Sequence, residues 1–154
     1  MPPHSRIWIY QSEREFLPKE TEAIRIKAID FVSQWTSHDQ LMKASIEVFY
    51  DRFVVVCVDE KTAPASGCGI DKSVKFIQAL ESELNISLLD RNNVAFRTNG
   101  KIISCKLPEL KTSLTVGEGK GGALVFNNLV ATKEEFEKNW EVPIEKSWHK
   151  QFVS

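Results

Sequence analysis

A chain of 154 residues, 42% hydrophobic and 27% charged, has the composition of an ordinary folded protein and the length of one domain with its own core. Its net charge of −1, with Lys and Arg scattered among Asp and Glu, lacks the basic footprint of a nucleic-acid binder. No stretch approaches the roughly 20 apolar residues that cross a bilayer. The opening "MPPHSRIWIY" shows no secretory pattern, and three cysteines are the sparse usage of a reducing compartment, so a cytoplasmic protein without membrane contact is expected.

"RIWIYQ" (6–11), rich in aromatic and β-branched residues, predicts a first strand. Pro18 then opens a helix at its first position, and Ile24, Ala28, Phe31 and Trp35 form its buried stripe. "ASIEVFY" and "FVVVCVD" flank "YDR" and read as two strands joined by a short turn. The run from Phe53 to Val58 is apolar on both faces, which marks a central strand with Cys57 as a small core hydrophobe.

After the loop "ASGCGIDKS" (65–73), Val74, Ile77, Leu80 and Leu84 share one face of a second helix, with Asp71 a plausible N-cap. "NVAFRTNGKIISCKL" predicts a hairpin. Asn99-Gly100 suits a type I′ turn, which pairs Phe96 with Ile103 and Val94 with Cys105 on an apolar face. A mobile loop is expected over about 108–122. "ALVFNNLV" reads as a strand, although Asn127 and Asn128 are uncommon in strands; one of them can line a polar pocket, and a bulge or strand end explains them as well. Thr132 and Glu135 have the spacing of a capping box before a last helix carrying Phe136 and Trp140. Pro143 stops that helix, and Trp148 and Phe152 anchor an aromatic tail.

This order predicts a single α+β domain spanning 1–154. It has a βαββαβ ferredoxin-like core with an extra C-terminal hairpin, strand and helix; the alternative is a thioredoxin-like α/β sheet.

The loop 65–73 is the leading candidate site. Cys68 lies between two glycines ahead of a helix, where unpaired N–H groups and the helix dipole favour a thiolate. No second cysteine stands three residues away, because positions 65 and 71 are Ala and Asp. No arginine stands six residues on, because position 74 is Val. Without the thiol, the backbone around Ser66, Gly67, Gly69 and Asp71 can bind an anion or a protein partner. In the blandest reading the glycines only make a compact turn.

"GEGKGG" (117–122) matches G-x-G-x-x-G in form but is followed by a strand pattern, so it reads as a hairpin loop and not a nucleotide site. His4, His38 and His149 are far apart and lack metal-ligand spacing, so neither a metal nor a cofactor is expected. A Cys68–His149 dyad needs the tail to fold back onto the loop. Asp59 and Glu60, at a strand end, are expected to face water.

With "RIWIYQS", "VDE", "ASGCGIDKS", "VFNNLV" and "SWH" in this order, the chain resembles a family of short bacterial proteins typical of the Bacteroidetes group, often automatically labelled ABC-transporter ATPase. The sequence gives that label no support, since it carries no Walker A loop. The resemblance implies a cytoplasmic bacterial protein, supplies no activity and no catalytic residue, and includes the Ser66–Asp71 loop among its distinctive stretches. Two functions follow as expectations. The first is a binding or interaction module, homodimeric in one form, that takes a small anionic ligand or a protein partner at Ser66–Asp71. The second is a small enzyme using Cys68 as nucleophile or redox thiol.

Overall fold

The computed structural model describes residues 1–61, 64–116 and 123–153. Strand β1 (Arg6–Gln11) is followed by α1 (Pro18–Gln34), whose first position is the expected proline. The Glu20 carboxylate reaches back to the Leu17 N–H at 2.8 Å, the acidic half of a capping box. It also holds Arg14 at 2.7 Å. Two short arms, β2 (Thr36–Ser37) and β3 (Gln40–Leu41), precede the long hairpin of β4 (Lys43–Phe49) and β5 (Phe53–Asp59). Tyr50 and Asp51 turn that hairpin at positive φ, 54° and 52°.

The first sheet is antiparallel in the order β1-β5-β4. Every residue of β5 is buried, as its two apolar faces require. Val54, Val56 and Val58 pack under the helices, while Phe53, Val55 and Cys57 face the other way. Each such side chain removed from water stabilises the fold by roughly 1.5–3 kcal/mol.

Helix α2 (Gly67–Leu84) lies beside α1 on the same face. Its N-cap is Ser66 and not Asp71, which sits exposed in the first turns. The buried face runs through Gly69, Ser73, Ile77 and Leu80, a shift from the expected stripe that leaves Val74 half-buried.

The chain next forms β6 (Asn93–Thr98) and β7 (Lys101–Lys106). This hairpin has the expected register, Phe96 opposite Ile103 and Val94 opposite Cys105. Asn99 and Gly100 take φ of 50° and 76°, as a two-residue type I′ turn demands. A ferredoxin-like order would set the strand after α2 beside β1. Here β6 joins a second antiparallel sheet, ordered β7-β6-β8-β9, with β8 at Leu124–Phe126 and β9 at Glu141–Pro143.

Part of the expected loop at 108–122 is helical. A 3₁₀ turn at Leu107–Glu109 leads into α3 (Leu110–Val116), because Leu107, Leu110 and Leu114 bury one stripe against the second sheet. The "GEGKGG" segment lies outside the described residues. The strand expected over "ALVFNNLV" ends at Phe126, so Asn127 and Asn128 form the turn that follows it. Helix α4 (Lys133–Asn139) starts on Thr132, whose hydroxyl accepts from the Glu135 N–H at 3.2 Å. Phe136 and Trp140 stack with centroids 4.6 Å apart.

Four layers result: α1 with α2, the first sheet, the second sheet, and α3 with the C-terminal 3₁₀ turns at 144–152. Ala95 and Phe126 face the first sheet, whereas Val94, Phe96 and Val125 face the outer layer. Both remaining cysteines belong to this packing. Burial raises the thiol pKa of Cys57 and of Cys105. No helix among the described residues is long and apolar enough to cross a membrane.

Candidate functional site

The Ser66–Asp71 corner is built as a packing joint. Ser66 and Ser37 hydroxyls hydrogen-bond at 2.5 Å, and Ser66 also accepts from the Gly69 N–H at 3.4 Å. The Gly69 carbonyl accepts from the buried Trp35 indole at 2.9 Å. A Cβ at Gly69 would meet Met42 Sδ and Ser37 Cβ at 3.2 Å each, tighter than ordinary contact, so a larger residue would push these neighbours back by a few tenths of an ångström. Gly67 has open space around it, and Cys68 is exposed. Cys68 and His149 are not brought together: Cys68 stands on the helical layer, and His149 is buried in the tail, bonded to Ser147 and stacked on Trp148. Asp59 does not face water. It is buried, accepts from the Lys61 N–H and bonds His4 at 3.1 Å, and those contacts lower its carboxyl pKa.

A second place has no sequence motif. A cleft of about 290 Å³ runs beside β1, walled by 88–91, 93–94 and 128–131, with Trp148 and His149 contributing from the tail. That is near the lower end of the roughly 300–1,000 Å³ of small-ligand sites. Every residue of β1 from Arg6 to Gln11 borders it, which the two faces of a strand can do together only along an edge.

The polar groups of this cleft are under-satisfied. Among the described residues, Gln11 Nε2, Asn93 Nδ2, Trp148 Nε1 and His149 Nε2 are buried without a hydrogen-bond partner, and all four residues line the cleft. Buried polar atoms are ordinarily paired, and leaving one unpaired costs about 1–3 kcal/mol. For Gln11 the orientation follows from its neighbours. The Trp140 indole can only donate, so the 2.9 Å contact makes Asn128 Oδ1 its acceptor. Asn128 Nδ2 therefore donates to Gln11 Oε1, also at 2.9 Å. Gln11 Nε2 is left as a donor with nothing to bind.

Charge in the cleft is tuned by burial. His149 is 1% exposed, and desolvation lowers its pKa to about 4, so the imidazole is neutral at pH 7. Burial raises the Tyr10 pKa against the opposing pull of the nearby Arg91 cation. Arg91 is exposed and makes no hydrogen bond or ion pair among the described residues. Asp90 is the one acid on the cleft wall, and Lys106 holds it at 2.7 Å.

Comparisons with known proteins add no analogue. No protein-family model matches the chain, and no curated protein or solved structure matches it.

A larger groove, about 550 Å³, lies between α1 and α2 over the stacked Phe31 and Phe76 rings. None of the unpartnered buried atoms borders it. Among the described residues no cluster of three or more His, Cys, Asp or Glu side chains has a metal-binding arrangement. Sequence reasoning missed the cleft. Its only local signal was the misfit of Asn127 and Asn128 in a strand pattern.

Proposed function

We propose that the chain is a non-covalent binding protein and that its ligand, rich in hydrogen-bond acceptors, seats in the cleft along β1. The observation that carries this reading is the set of unpartnered buried groups on one wall system. Amide N–H₂ groups and an indole N–H call for acceptors, and the unpaired Arg91 favours an anionic one. Leu88, Leu89, Leu129 and Val130 offer apolar surface beside them. A carboxylate on an apolar body meets both demands. We read residues 1–84 as a ferredoxin-like βαββα unit without its fourth strand, in a cytoplasmic protein.

The Ser66–Asp71 loop stays a second reading, because the Gly67 and Cys68 amides have no partner at the start of α2 and the thiol is exposed. It would serve an anion through its backbone, or thiol chemistry through Cys68.

Calorimetric titration with N-acetyl-leucine separates the two. The cleft reading expects binding that Arg91→Gln weakens by roughly tenfold, the weight of one charge-assisted hydrogen bond. It expects Cys68→Ser to leave binding unchanged. Affinity unchanged by Arg91→Gln, with the amide signals of residues 66 to 73 shifting on titration, would move the site to the loop.

A further inference from the structure

We infer that the ligand of this cleft is the C-terminal end of an extended peptide, added to β1 as a further strand of the first sheet. The inference rests on the cleft being the binding site and names the occupant.

In an antiparallel pair the residues alternate between those bonded to the partner strand and those whose N–H and C=O point away from it. The Ser12 N–H donates to the Arg52 carbonyl at 2.8 Å. With the β1–β5 register, this makes Arg6, Trp8, Tyr10 and Ser12 the bonded residues. Ile7, Ile9 and Gln11 therefore direct their backbone groups to the free edge. The chain itself demonstrates the pairing at one of them: the Ile7 N–H donates to the Ala131 carbonyl at 2.9 Å, beside an antiparallel bridge of Arg6 with Thr132. The next two positions, Ile9 and Gln11, have no such partner among the described residues.

Those two positions open on the cleft. A bare strand edge recruits an extended chain, and backbone hydrogen bonds then supply affinity with little demand on side chains. Gln11 is 4% exposed, so its edge groups lie away from bulk water, where leaving them unpaired is costly. The free edge from Ile9 to Gln11 is about 7 Å long at the strand rise, and the cleft volume of 290 Å³ is small. Both limit the guest to a few residues. Arg91 stands by Tyr10 without an ion-pair partner, and the unpartnered Gln11 Nε2 adds a neutral donor. A short extended segment that ends in a carboxylate satisfies the edge, the donors and the cation together.

The test compares forms of each member of a panel of N-acetylated tripeptides, varied at the central residue: the free acid, the C-terminal amide, and the acid N-methylated at each amide in turn, since only alternate guest amides face β1. N-acetyl-leucine is the small-molecule control. The expected result is that at least one free acid binds and shifts the Ile9 and Gln11 backbone amide signals. The C-terminal amide, and the acid methylated at an amide that faces β1, should bind roughly tenfold or more weakly, the weight of a hydrogen bond or ion pair. N-methylation without effect at any of the amides overturns strand addition and leaves the cleft as a carboxylate site. Binding of N-acetyl-leucine but of no tripeptide does the same. No response to any probe overturns both readings. Ile9→Pro removes the outward N–H without touching the β5 ladder and should abolish peptide binding selectively. Should that variant not fold, the N-methyl comparison decides the matter on the unaltered chain.

Discussion

The corner at Ser66–Gly69 and the cleft beside β1 are opposites. The corner looks like a site in the sequence, yet its hydroxyls, glycine and carbonyl are joined to Ser37, Met42 and Trp35. The cleft carries no motif, yet one nitrogen each of Gln11, Asn93, Trp148 and His149 is buried there without a partner among the described residues. Polar groups that satisfy one another hold a structure together. Polar groups left unpaired in a concave wall cost stability, and that cost is recovered only when something binds.

The largest expected effect separates the cleft by pH. His149 has a depressed pKa in the folded chain, about 4 against an ordinary 6.5, so its contribution to stability is complete above 6.5. Protons bind the unfolded state first as pH falls, and roughly 3 kcal/mol should be lost by pH 4. Urea unfolding across that range should show the decline, and His149→Gln should flatten it. An unchanged slope in the variant would mean the imidazole is not desolvated. Glu20 acts in a lower window. Arg14 first, then the Leu17 N–H, hold its pKa at about 2, so its stabilisation fades only as pH drops below the ordinary 4.5.

Next in size is Asn128→Leu, which strips the Trp140 donor and the Gln11 acceptor together. A destabilisation of about 2 kcal/mol is expected from two buried groups left unpaired, measured by chemical denaturation. A neutral result would contradict the relay through Asn128. At the corner, Gly69→Ala should cost about 1 kcal/mol by forcing Met42 and Ser37 to move, while Gly67→Ala should be nearly neutral. Equal effects of the two would remove the case for a packing joint. Smallest of all, Cys68→Ser should change stability by less than about 0.5 kcal/mol, as expected of an exposed side chain.

Local pattern carried much of the fold. The alternation and the Asn99-Gly100 turn fixed the β6–β7 register to the residue, because a type I′ turn and a period of two leave one solution. The apolar run of β5 announced its place between two layers. The placement of β6 was not legible, since sheet choice depends on packing between distant segments. Nor was the α3 helix, whose leucines, Leu110 and Leu114, were masked by the polar residues between them. The cleft is the extreme case. It gathers Gln11, Asn93 and Trp148, each unremarkable in its own stretch, and only the assembled fold reveals that their hydrogen bonds do not close.

On the proposed reading the ligand meets the β1 cleft and not the Ser66–Asp71 corner. The most direct measurement is a ¹H–¹⁵N NMR titration of the unaltered protein with the N-acetylated tripeptide acids. Shifts are expected at the Ile9 and Gln11 amides, the Gln11 side-chain NH₂ and the Trp148 indole, with signals from residues 66 to 73 still. Shifts confined to 66–73, with β1 unmoved, would contradict it.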